Sequence, residues 1–302
     1  MLTRRSALSM IAGCVALSGS SLAAAAQTPA KIKAVATFSI LADVVANVGG
    51  DRVEVTTLVG PDGDAHVYSP TPADARRLSE AKIVFTNGLK FEGWIDRLVK
   101  SSGTKAPTVE LAKAVQPLKS EDGHGHGAMD PHAWQDVSNV KLYAAAVRDG
   151  LVAVDPDGKA VYEANTAAYL AKLDALDADI RALVDGIPKS NRRIITSHDA
   201  FRYFEAGYGI AFVAPQGVST DAEASAGDVA KIIRQIKREK ITAVFVENVS
   251  DPRLMQRIAS ETGAKLGSRV YSDALSGPGW PAPTYIDMMR HNIRAFSAAL
   301  SS

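Results

Sequence analysis

The chain has 302 residues, 46% of them hydrophobic and 22% charged, the balance of a globular protein large enough for two domains with real cores. Its formal net charge of +1, with Lys and Arg scattered along the chain, excludes a basic nucleic-acid binder and offers no pull toward anionic membranes.

Residues 1–26 read as an export signal. Arg4 and Arg5 precede an apolar, small-residue run from Ala7 to Leu22, and Ala24 and Ala26 suit cleavage before Gln27. The paired arginines also fit twin-arginine export, with the general secretory route as the alternative. A retained transmembrane anchor is the rival to cleavage, and no later segment is apolar enough to span a bilayer. The single cysteine, Cys14, closes Ile11-Ala12-Gly13-Cys14, which resembles a bacterial lipoprotein box. Only eight residues separate it from Arg5, which is short for the apolar region. Release as a soluble periplasmic monomer is therefore expected over a lipid anchor at Cys14. In either form the mature chain has no disulfide, and any metal site must be built from nitrogen and oxygen.

From residue 27 short apolar strands alternate with helical stretches, the pattern of α/β layers. The first half reads as a strand over 33–37, a helix over 39–48 and an alternating strand at Val53, Val55, Thr57 and Val59. A strand over 83–86 and a helix over 91–100 follow. Residues 113–130 read as a polar loop, and 138–154 as a helix broken by Asp155-Pro156-Asp157. Apolar positions Tyr162, Tyr169, Leu173, Leu176, Ile180 and Leu183 then predict one helix of about 28 residues, roughly 42 Å long, ending at Gly186 and Pro188. The alternation restarts with strands over 193–196, 210–214 and 242–246 and helices over 229–239 and 253–262. A strand end over 269–272 and a helix over 285–300 close the chain. The expected architecture is α/β, with two similar lobes, each a β-sheet flanked by helices. The lobes are residues 27–156 and 188–302, joined by one long rigid linking helix over 157–187.

The six histidines are not scattered. His66 follows the strand ending at Val59 after a Gly60-Pro61-Asp62-Gly63 turn, and His198 follows the strand over 193–196 directly. Asp273 follows residues 269–272 in the same way, and ligands of open α/β sheets bind outside the carboxyl ends of strands. His132 sits in Asp130-Pro131-His132-Ala133-Trp134, where the proline stiffens the approach. Three imidazoles and a carboxylate, two ligands from each half, suit tetrahedral Zn²⁺ at the lobe interface. The competing reading has His66 and His132 capping helices and Asp273 capping the last one.

Four segments carry a resemblance: Asp64-Ala65-His66-Val67-Tyr68-Ser69-Pro70, Asp130-Pro131-His132-Ala133-Trp134, residues 196–204 around His198, and Val270-Tyr271-Ser272-Asp273. In order and spacing they resemble the metal-ligand motifs of the zinc- and manganese-specific solute-binding proteins of bacterial ABC transporters, over the chain from about residue 30 onward. The resemblance implies one metal ion held by His66, His132, His198 and Asp273 and delivered to the membrane permease of an ABC transporter. A periplasmic metallochaperone is a further partner to consider. Manganese-specific members tend to carry Glu where this chain has His198, and replacing a carboxylate by imidazole moves a site from Mn²⁺ toward Zn²⁺. Ala65 departs from members with an acidic residue before the first histidine.

Three further features complete the reading. His124 and His126 lie in a Gly-rich stretch before the second ligand and read either as an accessory metal-gathering loop or as a plain loop. Glu247, at the end of the strand over 242–246, is expected to orient a ligand histidine or to bond a loop. His291, in the last helix, is expected at the surface. A zinc hydrolase is the distant rival, but it needs an open coordination position and a base, and four side chains close the shell here. A manganese or iron receptor of the same class is the nearer alternative.

Overall fold

A computed structural model describes residues 30–120 and 129–301. The expected export signal over residues 1–26 and the stretch holding His124 and His126 lie outside the described residues. The first lobe is built on β1 (Ile32–Phe38), β2 (Val53–Val59), β3 (Ile83–Thr86) and β4 (Thr108–Glu110), in the spatial order β2-β1-β3-β4. All pairings are parallel, with Ala34 opposite Val55 on one side and Ile83 on the other. The crossovers are α1 (Ser39–Gly49), α2 (Pro72–Glu80) and α3 (Ile95–Ser102), and α4 (Val137–Val154) follows β4. The second lobe repeats the plan. Its strands β5 (Arg193–Ile195), β6 (Ala211–Val213), β7 (Ala243–Val244) and β8 (Lys265–Leu266) run parallel in the order β6-β5-β7-β8. Its helices are α6 (Arg202–Tyr208), α7 (Ala226–Glu239), α8 (Pro252–Thr262) and α9 (Tyr285–Leu300). In each sheet the order reverses beside the first strand, which opens a crevice at the carboxyl ends where connections diverge.

Between the lobes runs α5 (Lys159–Asp185), whose 27 residues span about 40 Å. Its buried stripe is Tyr162, Thr166, Tyr169, Leu173, Leu176, Ile180 and Val184, and it packs on α1, α4 and α9. The stripe therefore bridges both lobes, and one apolar core continues from Val35 through Trp134 and Leu173 to Phe296. A smaller cluster lies behind β5 and β7, where Ile195 and Val244 meet Val229, Ile232 and Met255. Residues Lys31–Ser302 consequently form one compact unit.

Most expected elements are present, and the departures have local causes. The helix expected from residue 91 begins only at Ile95, because Leu89 and Lys90 adopt positive φ (53° and 64°) and the Phe91 N–H closes a turn onto Gly88. Helix α2, not expected, is started by a capping box between Thr71 and Asp74 with Pro72 in the first turn. Strand β4, helix α6 and strand β8 are likewise additions, each of seven residues or fewer, too short for periodicity to reveal. The strand expected over 242–246 is a two-residue β7, and the one over 269–272 shrinks to a bridge between Glu247 and Val270. Leu183 is only partly buried, and Val184 takes its place on the α5 stripe.

Candidate metal centre

Three of the four predicted ligands leave a strand end or its continuation. His66 follows β2, His198 follows β5, and Asp273 follows Val270, which pairs with the residue beyond β7. His132 precedes α4 after a turn in which the Ala133 N–H reaches the Pro131 carbonyl. The structure brings all four together, with ligand atoms within 4.8 Å of one another. His66 Nε2 lies 3.3 Å from His132 Nε2 and 3.3 Å from Asp273 Oδ2. His198 Nε2 is 3.1 Å from Asp273 Oδ2, and His132 Nε2 is 3.5 Å from Asp273 Oδ1. Four donors around one Zn²⁺ at 2.0–2.2 Å stand about 3.4 Å apart along the tetrahedron's edges, so these separations match a metal cage. Three of the four residues are fully buried, and only His66 reaches toward solvent.

The polar bookkeeping points the same way. Both Asp273 oxygens and His198 Nε2 are buried without a hydrogen-bond partner. These atoms face one another across the centre, so either a cation or protons on the facing imidazoles must satisfy them. His132 and His198 are held alike from behind. Asp130 Oδ1 accepts from both the backbone N–H and Nδ1 of His132, each at 2.8 Å. Glu247 Oε1 accepts from the His198 N–H at 2.9 Å, while Oε2 lies 2.5 Å from Nδ1 in an ion-pair geometry rather than an aligned hydrogen bond. A carboxylate on Nδ1 selects the tautomer whose Nε2 lone pair faces the centre. His66 lacks such a support; Asp64 Oδ1 accepts only its backbone N–H, at 2.9 Å. The Asp273 loop is fixed by Trp134 Nε1 and Gln135 Nε2, both donating to the Ser272 carbonyl at 2.8 Å.

The electrostatics separate the three imidazoles. Burial opposes a charge on His132, but Asp273 and Asp130 outweigh it and push its pKa up to about 9. His198 likewise resists charge through burial, yet Glu247 and Asp273 raise it well above the usual histidine value. Burial lowers His66, and the attraction of Asp273 does not recover the loss. Burial works to raise Asp273, but His198 and His132 hold it well below the usual carboxylate range. Without metal, the buried carboxylates thus favour the protonated forms of His132 and His198.

Glu247, for which the sequence left open bracing a ligand histidine or bonding a loop, lies against His198. Asp130 acts in the same way on the second ligand, a role that sequence reasoning missed because only its proline-restricted backbone was considered. A carboxylate two residues before a candidate histidine was the available signal. Phe91 was also missed, since it was assigned to a helix face; its ring meets His66 edge-on at 4.5 Å and lies 5.9 Å from His132. Ala65 is fully buried and its carbonyl accepts from Trp94 Nε1 at 2.8 Å. His291 stands apart from the site, partly exposed at the surface, where it donates through Nε2 to the Arg269 carbonyl at 2.8 Å.

Known proteins agree with this arrangement. Residues 34–299 match the family model described as the zinc-uptake complex component A, periplasmic. The chain is 37% identical over 270 residues to the manganese-binding lipoprotein MntA of Halalkalibacterium halodurans, covering 89% of each. It is 31% identical to the iron ABC transporter substrate-binding lipoprotein MtsA of Streptococcus pyogenes, covering 90% of this chain and 89% of the relative. Among solved structures, the periplasmic zinc-binding protein TroA of Treponema pallidum superposes with a TM-score of 0.85 at 30% identity, over 90% of this chain and all of TroA. The manganese-bound periplasmic metal-binding protein of Candidatus Liberibacter asiaticus gives 0.81 at 27%, over 89% of this chain and all of that one. The curated relatives are solute-binding components, not enzymes. With its three histidines and one aspartate gathered between two parallel-sheet lobes, this chain belongs to the same family, the metal-binding substrate-binding proteins of ABC transporters.

Proposed function

We propose that the protein captures Zn²⁺ outside the inner membrane with His66, His132, His198 and Asp273 and hands it to the permease of an ABC transporter. The observation that carries the metal is the third ligand, an imidazole braced by Glu247. Three nitrogen donors and one carboxylate suit Zn²⁺ better than Mn²⁺, which prefers oxygen. The test is competition between zinc and manganese for the chelator-stripped mature protein. Tighter zinc binding is expected, and tighter manganese binding sinks the assignment.

Manganese or iron is the second reading, and two observations favour it. The relatives above carry manganese and iron in their names. Both Asp273 oxygens are also unpartnered and face the histidines, so the carboxylate can chelate and raise the coordination number. The names of the curated relatives, all lipoproteins, bear on the membrane as well. They favour lipid attachment through Cys14 over free release. Incorporation of labelled palmitate that is lost in Cys14→Ser supports attachment, and an unlabelled wild-type chain refutes it.

A further inference from the structure

The loop that follows β6 does more than border the site. At its base, Gln216 forms a parallel bridge with His198, and the Asp199 N–H donates to the Gly217 carbonyl at 3.2 Å. Three residues further along, Thr220 Oγ1 donates to Asp64 Oδ2 at 2.6 Å. The other oxygen of that carboxylate accepts the His66 N–H. One short segment of the second lobe is thus joined to the third ligand at its base and to the first ligand at its tip. It also separates two hollows. On one side is a cavity of about 530 Å³ lined by His66, Phe91, Val218 and Asp221. On the other is a cavity of about 490 Å³ lined by Asp64, Gln216, Thr220 and Glu223.

We propose that residues 216–220 act as a strap that sets how long the metal stays bound, with Thr220 and Asp64 as the positioning residues for His66. This rests on the ligand set proposed above. Apart from Asp273 at Nε2, no carboxylate among the described residues braces the His66 ring, and His66 is the ligand nearest solvent, so its place depends on its backbone. From the first lobe, Trp94 Nε1 fixes the adjoining Ala65 carbonyl. From the second lobe, Thr220 fixes the Asp64 carboxylate, and through it the His66 amide. When the strap lifts, Asp64 loses its outer partner and His66 is free to swing away, while His132 and His198 keep their carboxylate braces. Two other cross-lobe bonds, Asn248 Nδ2 to Asp62 Oδ1 at 2.9 Å and Asp62 N–H to the Leu275 carbonyl at 2.8 Å, hold the start of the same turn. They remain intact when Thr220 alone is changed.

The test compares wild type, Thr220→Val and Thr220→Ser in two measurements. Zinc release is followed by stopped-flow chase with a chelating dye, and backbone hydrogen exchange at His66 is followed in the metal-free protein. A hydrogen bond to a charged acceptor predicts release about tenfold faster in Thr220→Val, with association changed less than about twofold. Exchange at the His66 amide should quicken, and Thr220→Ser should restore both. Unchanged release and exchange in Thr220→Val, or a Thr220→Ser that behaves like the valine variant, overturns the strap. A wild type that binds no zinc defeats the metal assignment instead, and the exchange comparison then decides the strap by itself.

Discussion

Replacing Glu247 by Gln probes how the centre is braced. The side chain keeps its shape, and its oxygen can still accept the His198 N–H, now 2.9 Å from Oε1. The atom facing His198 Nδ1, now a carboxylate oxygen 2.5 Å away, becomes an amide N–H₂. Two donors then oppose each other, and relief requires the proton to leave Nδ1 for Nε2, the atom that must hold the metal. Loss of such a support costs about 10–100-fold in affinity, or about 1.4–2.8 kcal/mol. A second effect has the opposite sign. Glu247 is the leading carboxylate that raises the His198 pKa against burial, so its removal leaves fewer protons for the metal to displace at neutral pH. Glu247→Gln should therefore bind zinc 10–100-fold more weakly at pH 8 and show a shallower fall of affinity as pH drops. Chelator competition at half-unit steps from pH 8 to pH 6 measures both. Wild-type affinity with a wild-type pH slope would refute the idea that Glu247 orients His198.

Other expectations follow from the same structure. The carboxylates around His132 and His198 favour their protonated forms in the metal-free protein, so zinc binding should release protons, up to about two per ion. Calorimetry in buffers of different ionisation heat counts them, and a count near zero contradicts the arrangement. For stability, the folded pKa of His132, about 9, lies above its unfolded value. Its contribution is thus complete below about pH 6.5 and lost as pH rises through about 9, so the metal-free protein should melt lower at pH 9 than at pH 6.5. Asp43 has the opposite consequence for its own charge: burial raises its pKa to about 6, so the ionised form costs stability above that pH. Asp43→Asn should stabilise the fold by up to about 3 kcal/mol at pH 8 and by nothing below about pH 4, and a destabilised variant at pH 8 refutes the assignment. Leu173→Ala, in the buried stripe of α5, should cost about 2–5 kcal/mol in denaturant unfolding while leaving one metal per chain. A loss below about 1 kcal/mol would mean that α5 is not the shared wall of the core.

The parts of this molecule visible in the sequence are those set by long-range pattern. The α5 stripe declares itself over about six turns, and α9 was expected over the residues it occupies, because each buries one continuous face. The four clustered residues were legible from a different regularity: His66, His198 and Asp273 follow strand ends, and family motifs added His132 after its loop. What was not legible depends on contacts between distant segments. β7 and β8 have two residues each and exist only through pairing, β7 with β5 and β8 with β7. The false start of α3 at Phe91 reflects a ring drawn toward His66 and Trp134, which no helical period encodes. The Asp64–Thr220 bond joins residues 156 positions apart and has no signature in either neighbourhood. Nor does a shared apolar core follow from two similar halves; it comes from α5 offering one stripe to both lobes.

The central claim is that one ion is held by three imidazoles and one carboxylate between the lobes. X-ray absorption at the zinc edge of the stoichiometrically loaded protein tests it most directly. The account predicts only nitrogen and oxygen neighbours at about 2.0–2.2 Å, with the multiple-scattering pattern of three imidazoles, and loss of one imidazole in His198→Ala. A shell dominated by oxygen at longer distance, or a spectrum that His198→Ala leaves unchanged, would contradict it.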